Sequence, residues 1–424
     1  MSIEYLREKI DNGVHFNLIK TNKFKTNLIN FYIVRPLSKD EATKNALLPL
    51  ILKRGTSKYN TSLEIQRRLE ELYGANLSIN VNKKGEKQII RFAIETVNSD
   101  FIKEENLLRK ILDMLNEIIF NPYTENEVFS QNYFKQEKEN LKKRIEGRIN
   151  DKKTYAVERC IEEMCKNEKF SIYKYGNIED LEDISCKGLY EHYRSILRSS
   201  PMEISIVGNI NKDEAINSIQ DTFRLHREDI INLPREEVIK AIRTKNMITE
   251  EMDVNQGKLT LGLRTNIPYE DKLYEPLIVA SNILGGGANS KLFLNVREKE
   301  SLAYYIYSKS YKYKSIMIIA SGIETENFNK ALDIIKDQIQ ELKDGEFTDD
   351  DIEQSKNSLI TTIRSMTDNN YSMSEFYLSQ ALTKDTSHIS DMIEKINKVS
   401  KDEIIEAANK LSLDTIYFLR KKNN

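Results

Sequence analysis

The chain has 424 residues, of which 39% are hydrophobic and 31% are charged. This length exceeds that of one ordinary domain and indicates two or more domains, each able to bury a core. Because 64 basic and 66 acidic residues leave a net charge of −2, no overall charge favours nucleic acid or an anionic membrane as a partner. No stretch reaches the length of a membrane span, and the first residues lack the apolar core of a signal peptide.

The three cysteines, Cys160, Cys165 and Cys186, cannot all pair within one chain. Together with the missing signal peptide, they indicate a reducing compartment and predict a cytoplasmic protein. We interpret them as isolated thiols without a chemical role.

Strands and helices alternate along the first half of the chain, as the spacing of its apolar residues predicts. The predicted strands are residues 15–20, 27–35, 76–81, 88–96 and 201–210, and the predicted helices are 61–73, 105–122 and 136–166. In the first helix, Ile65, Leu69 and Leu72 fall on one face, and Gly74 is placed to end it.

The second half of the chain repeats the first. Ile-Glu-Thr occurs at 94–96 and again at 323–325, 229 residues later. The predicted strands before this motif and the predicted helix after it occur in the same order in both halves. The sequence therefore predicts a duplicated α+β domain.

We expect two homologous domains, each an antiparallel sheet flanked by helices. The N-terminal domain is predicted at 1–225 and the C-terminal domain at 247–424. Residues 226–246 are polar and lack a clear strand pattern, so they are assigned as the linker between the domains.

The segment SNILGGGANSKLFLNVREKESLAYYI, residues 281–306, resembles a signature of the insulinase-like (pitrilysin) zinc peptidases, which include the mitochondrial processing peptidases. Segments 193–211, 256–265 and 347–359 fit the same family and extend the resemblance over nearly the whole chain. The resemblance implies two homologous α+β domains that close around a chamber large enough for a peptide.

In active members of that family, the segment before Gly-Thr carries the motif H-x-x-E-H on a helix. The two histidines bind Zn²⁺, and the glutamate activates water. Aligned on Gly55 and Thr56, this chain has Ala46 and Leu50 at the histidine positions and Pro49 at the position of the glutamate. None of these side chains can bind a metal or transfer a proton.

The family's third zinc ligand is a glutamate in a pattern like E-K-x-x-x-x-x-E-I. The segment EKENLKKRI, residues 137–145, matches this pattern but has Arg144 at the ligand position, and a guanidinium repels a dication. No histidine has a partner three or four residues away; the four are His15, His192, His226 and His388. We interpret His192, which follows Glu191, as a histidine on a helix surface. The resemblance therefore implies a chain that holds no metal or cofactor and is not catalytic by itself.

Members of the family use an arginine and a tyrosine of the second domain, seven residues apart, to bind the substrate backbone opposite the metal. These match Arg297 and Tyr304 in VREKESLAY. Arginine offers a planar fork of donors and tyrosine a hydroxyl, which suit peptide carbonyls and a developing oxyanion. The alternative is that Arg297 only pairs with Glu298 or Glu300 and that Tyr304 belongs to the core.

Gly285, Gly286 and Gly287 form a glycine run in the same segment. Glycine lets the backbone come close to a neighbouring chain, so we expect this run to form a flexible lip that contacts the peptide. A phosphate-binding loop is disfavoured because no Lys-Ser or Lys-Thr follows in the required pattern.

The resemblance implies the non-catalytic subunit of a bacterial heterodimeric zinc peptidase, which binds a peptide substrate opposite the metal of a zinc-binding paralogue. One alternative is a homodimer that binds peptides or proteins without cleaving them, in a protein-modification pathway. Another is a scaffold like the family's core subunits in respiratory complexes. A neighbouring gene for an intact H-x-x-E-H chain would separate the first possibility from the second.

Overall fold

A computed structural model describes residues 3–102, 104, 106–223, 225, 227, 229–238 and 245–422. The predicted linker, 226–246, therefore lies partly outside the described residues. Among the helices that are described, none is both long enough and apolar enough to cross a membrane.

The secondary structure alternates between strands and helices along the whole chain. The strands are β1 (Glu4–Asp11), β2 (Val14–Lys20), β3 (Thr26–Pro36), β4 (Asn76–Lys84), β5 (Lys87–Val97), β6 (Thr124–Glu125), β7 (Val128–Phe129), β8 (Met202–Gly208), β9 (Asn246–Met252), β10 (Gly257–Arg264), β11 (Ala303–Tyr311), β12 (Ile316–Ile323) and β13 (Ser412–Lys421).

The α-helices are α1 (Lys39–Leu52), α2 (Ser62–Glu71), α3 (Leu107–Phe120), α4 (Gln131–Glu146), α5 (Lys152–Met164), α6 (Ile178–Asp183), α7 (Cys186–Ser199), α8 (Lys212–Thr222), α9 (Tyr274–Gly285), α10 (Phe328–Asp344), α11 (Asp349–Met366), α12 (Asn370–Thr383), α13 (Ile389–Lys398) and α14 (Lys401–Asn409). Short 3₁₀ segments lie at Ser99–Phe101, Gly147–Asn150, Lys169–Ser171 and Thr325–Asn327, and a π-helix lies at Phe293–Lys299.

The chain forms two compact units, each made of three segments. The first unit comprises Met1–Glu146, Ile172–Pro234 and Met366–Thr386, and the second comprises Gly147–Ser171, Arg235–Ser365 and Ser387–Asn424. As a result α5, from the first half of the chain, belongs to the second unit, and α12, from the second half, belongs to the first. The boundaries at 225 and 247 concern the extent of the two sequence repeats, and they stay a prediction.

The first unit contains a six-stranded sheet in the order β1-β2-β8-β3-β5-β4. β3 shows why both faces of this sheet are covered. Ile29, Phe31 and Ile33 point into the core that contains the buried residues of α1 and α3. Leu28 and Tyr32, on the other face, lie in clusters with buried residues of α12. A strand that is buried on both faces is expected to be apolar almost throughout, and the sequence of β3 has this pattern.

The second unit contains a five-stranded sheet in the order β11-β12-β10-β13-β9. α5 covers one face, where Val157 and Ile161 cluster with Ile318 and Leu419. α9 packs against β11, and α14 packs against α9 and α10. This sheet is therefore also enclosed between helices.

The two sheets correspond strand by strand. β4, β5, β3, β8 and β2 have the same neighbours as β11, β12, β10, β13 and β9, and β1 is an addition to the first sheet. The repeated Ile-Glu-Thr begins in β5 in one unit and at the end of β12 in the other. The prediction of two homologous α+β domains is confirmed.

Two details of the predicted fold are wrong. Each sheet is mixed, because β2 and β8 are parallel, as are β9 and β13. The single helix predicted at 136–166 is two helices, because α4 ends at Glu146 and α5 begins after Asp151, whose carboxylate accepts from the Thr154 backbone N–H at 3.1 Å.

Four buried charges connect the ends of elements in the second unit. Arg264 donates to Glu168 Oε1 at 2.6 Å and to Asp414 Oδ2 at 2.9 Å. Lys314 Nζ, which is fully buried, lies 2.6 Å from Glu168 Oε2. Two cations and two carboxylates balance one another, so none of these charges is left uncompensated.

Replacing Glu168 with glutamine should destabilise the protein by about 3–5 kcal/mol, because Arg264 and Lys314 then share one carboxylate in a buried site. Urea denaturation measures this change. The matched control is Glu394→Gln, which removes an exposed carboxylate paired with Lys398 and should change stability by less than about 0.5 kcal/mol. Equal effects of the two substitutions would contradict the importance assigned to the buried cluster.

The same carboxylate predicts a dependence of stability on pH. Burial alone would raise the pKa of Glu168, but hydrogen bonds from Arg264 and Lys314 hold it below its usual value. A carboxylate with a lowered pKa in the folded state stabilises above its unfolded pKa, about 4.3, and this stabilisation is lost as the pH falls through the folded pKa. The urea midpoint of the wild type should therefore fall below about pH 4 by more than that of Glu168→Gln. If the urea midpoints of the wild type and of Glu168→Gln fall in parallel as the pH is lowered, Glu168 does not contribute the predicted pH-dependent stability.

Candidate functional site

α1, the helix predicted to align with the family's zinc motif, is a core helix. Ten of its 14 residues are buried, and Ala46 and Leu50 are only 2% and 8% exposed. Pro49 lies in the last turn, where it removes one backbone donor. Leucine and proline at these positions therefore fill the core of the first unit, which explains an apolar run where the family pattern has ligands.

Arg144 lies at the exposed side of α4, and its guanidinium carbon is 5.2 Å from the ring centroid of Tyr175. Tyr175 precedes Gly176, which packs so closely on α1 that an added Cβ would meet Thr43 Oγ1 at 1.8 Å. The Asn177 backbone also donates to Thr43 Oγ1. These contacts connect Arg144 through Tyr175 to the turn of α1 that precedes Ala46.

Among the described residues of this region, no carboxylate is arranged as a metal ligand. Glu137 is the buried carboxylate of α4, and its Oε1 lies 3.4 Å from Arg54 Nη1. Throughout the part of the chain that the structure describes, no three His, Cys, Asp or Glu side chains are grouped so that they could hold a metal ion.

His192 is half-buried and belongs to a hydrogen-bond network around α1. Its Nε2 lies 2.8 Å from Oδ1 of Asn45, which is fully buried and donates to Gln88 at 2.9 Å. Burial lowers the pKa of His192 to about 4, so the ring is neutral at pH 7. The interpretation as a surface histidine is therefore wrong: His192 satisfies a buried amide. The polar Asn45 at the start of an apolar run was the only sequence signal for this network.

Gly55 and Thr56 have a structural role that does not require the metal. An added Cβ on Gly55 would meet the Asn60 carbonyl oxygen at 2.3 Å. The Thr56 hydroxyl is buried and accepts from the backbone of Lys58 and of Tyr59. The turn after α1 therefore requires both residues even where the ligands are lost.

Arg297 lies in the π-helix, with 43% of its side chain exposed. Its guanidinium carbon is 4.6 Å from the centroid of the Phe293 ring, and its Nε is 3.8 Å from Glu298 Oε1. Glu300 pairs instead with Lys330 at 2.6 Å. The contact with Glu298 is long and solvated, so it contributes little and leaves the donors of Arg297 accessible.

Tyr304 is 55% exposed, so it does not belong to the core. Its hydroxyl donates to Glu324 Oε1, and this hydrogen bond raises the pKa of Tyr304. Among the described residues, no hydrogen bond or ion pair joins Arg297 to Tyr304. The structure therefore presents the two side chains to solvent separately and does not hold them together as one preformed group.

The three glycines of the run differ in their surroundings. Gly285 is buried at the end of α9, where an added Cβ would meet the Ser308 backbone nitrogen at 2.4 Å, so it lets α9 pack on β11. Gly287 has open space around the position of a Cβ. Gly286 and Gly287 line a cavity of about 100 Å³ together with polar side chains that include Asn289. Only these two can accept a contact from outside.

Tyr173, Lys174 and Tyr175 were not singled out from the sequence. They form an aromatic and cationic surface with Arg144 beside α1. Their signal in the sequence is the short segment YKYG, which alone does not show which helix it contacts.

Comparison with known proteins supports one family. Residues 183–359 match the family profile described as Peptidase M16 inactive domain. A protein named Probable inactive metalloprotease YmfF, from Bacillus subtilis strain 168, is 38% identical over 409 residues, which cover 96% of each chain. A second protein of that organism, named Uncharacterized zinc protease YmxG, is 25% identical over 241 residues, which cover 56% of this chain and 57% of YmxG.

A solved structure of a conserved protein from Enterococcus faecalis V583 has the same fold over 99% of both chains, with a TM-score of 0.90 and 29% identity. The similarity to YmfF and to this structure extends over nearly the whole chain, beyond the region that the family profile matches. The chain therefore belongs to the insulinase-like M16 peptidase family, as a member that lacks the H-x-x-E-H motif.

Proposed function

We propose that this chain is the non-catalytic subunit of a heterodimeric zinc peptidase. In this proposal a zinc-binding paralogue supplies the metal and the general base, and this chain contributes contacts to the peptide substrate. The observation that carries the proposal is a contrast within one chain. Ala46 and Leu50 are buried in an apolar core and carry no group that binds a metal, while Arg297 and Tyr304 are exposed.

The exposed pair offers the chemistry that a peptide requires. The guanidinium of Arg297 can donate two hydrogen bonds to backbone carbonyls, and the hydroxyl of Tyr304 can donate to an oxyanion once it leaves Glu324. In the proposed heterodimer, Arg297 and Tyr304 would lie opposite the metal of the partner subunit. Donors placed there would stabilise the negative charge that develops on the substrate carbonyl.

The competing proposal is a homodimer that binds peptides or proteins without cleaving them. It needs the same exposed residues but no zinc-binding partner. Isolating the chain from its native host and identifying the bound proteins by mass spectrometry separates the two proposals.

The purified chain should contain no stoichiometric zinc and should not hydrolyse peptides, because Ala46, Pro49, Leu50 and Arg144 provide neither ligands nor a base. Elemental analysis and a peptide-cleavage assay measure both properties. A zinc-binding paralogue prepared in the same way is the positive control. One zinc per chain, removed by a chelator together with a peptidase activity, would refute the prediction.

In an active pair with a zinc-binding paralogue, Arg297→Ala and Tyr304→Phe should each lower kcat about a hundredfold, because each removes a donor to the developing oxyanion. Arg297→Lys should restore only part of the rate, since an ammonium lacks the planar fork. Assembly and the zinc content of the partner should not change.

Lys299→Ala is the matched control, since Lys299 is an exposed cation of the same helix. It should leave kcat unchanged. If both Arg297→Ala and Tyr304→Phe keep full activity in a pair that needs this chain, the chain acts only as a structural lid and the proposed substrate contact is wrong.

A further inference from the structure

Two cations stack on one tyrosine ring in the first unit. The guanidinium carbon of Arg144 lies 5.2 Å from the centroid of the Tyr175 ring, and Lys174 Nζ lies 4.9 Å from it. Tyr173 packs edge-on against the same ring at 5.4 Å. Each cation gains from the ring, but the two positive charges repel each other.

Among the described residues, these two cations have no carboxylate partner. Neither Arg144 nor Lys174 forms an ion pair there, and each charged group lies over the ring of Tyr175. The neighbouring cations of α4 differ in this respect, as Lys142 pairs with Glu182 and Lys143 with Glu139. The surface around Tyr175 therefore carries two positive charges that the described carboxylates do not balance.

The segment that carries Tyr175 is held in place by buried contacts. Gln88 donates to the carbonyl of Lys174 at 2.7 Å, and Lys83 donates to the carbonyl of Ile172 at 3.1 Å. Gly176 packs on Thr43, one turn before Ala46 on α1. The backbone that carries Lys174 and Tyr175 is thus held beside α1 and does not need to be ordered when a ligand binds.

We infer that Arg144, Lys174 and Tyr175 form a subsite for a carboxylate of a bound peptide. Arginine can donate two parallel hydrogen bonds to a carboxylate, and lysine adds a second positive charge. Tyr173 and Tyr175 are half-buried, so the open part of each ring offers apolar surface to the neighbouring part of the peptide. This inference rests on the proposed function, because it takes a peptide as the ligand, and it assigns that peptide an acidic side chain or a free C-terminus.

Fluorescence anisotropy with the full chain tests the inference. The probes are three labelled peptides of about ten uncharged residues: one with a C-terminal amide, one with a free C-terminus, and one amide with a single central glutamate. At least one carboxylate-bearing peptide should bind roughly tenfold more tightly than the neutral amide at low salt. The advantage should shrink at high salt, since Arg144 is exposed and Lys174 is partly exposed. The carboxylate-bearing peptide that binds more tightly than the neutral amide shows whether the subsite takes a side-chain carboxylate or a free C-terminus.

The variant Arg144→Ala/Lys174→Ala should remove this advantage while the neutral amide still binds. Its matched control is Lys142→Ala/Lys143→Ala, which removes the same charge from paired lysines of α4 and should keep the advantage. If both variants lose the affinity advantage equally, the carboxylate is attracted by the general positive charge of this surface, and the proposed subsite is wrong. If wild-type chain binds all three peptides equally, the subsite is wrong and the proposed peptide binding stands. If no peptide binds, both are wrong.

Discussion

Both units depend on one constraint: each central sheet must bury both of its faces. β3 places apolar residues on both sides, so helices are required on each face of the first sheet. The covering helix is α12 in the first unit and α5 in the second, and each comes from the other half of the chain. A sheet left with one face open would expose several large apolar side chains, so neither repeat is complete without the segment that it receives from the other.

The same constraint explains the apolar residues at the positions predicted to align with the zinc motif. α1 covers the face of the first sheet that carries Ile29 and Phe31, so any residue on its buried side must fill the core whether or not a metal is present. Alanine and leucine at the ligand positions do so without leaving unpaired polar groups. Arg144, by contrast, lies on the exposed side of α4, where burial sets no such condition. The positions predicted to align with the family's ligands therefore differ in their surroundings, because Ala46 and Leu50 lie in the core and Arg144 lies on a charged surface.

Much of the fold was predictable because its signals are local. The apolar spacing of α2, the strand β3 and the order of strands around Ile-Glu-Thr all follow from short-range patterns, although α2 ends at Glu71, before the predicted stop at Gly74. The division of 136–166 into two helices was missed because a charged segment with good helix formers gives little signal for a break. The exchange of α5 and α12 could not be predicted, since periodicity shows that a helix has an apolar face but not which sheet receives it.

The candidate site was predictable only in part, for the same reason. The loss of ligands at Ala46, Pro49 and Leu50 is a property of the residues themselves. The hydrogen bond between His192 and Asn45 and the stacking of Arg144 on Tyr175 join residues far apart in the sequence, so only the folded chain shows them. The exposure of Tyr304 likewise decided between a surface and a core position that the sequence left open.

Native mass spectrometry of the complex that forms on this chain in its native host tests the central claim most directly, since it counts subunits and metal in one measurement. The proposed heterodimer requires one copy of this chain, one copy of a paralogue with an intact H-x-x-E-H motif, and one zinc ion. A complex of two copies of this chain without zinc would contradict it.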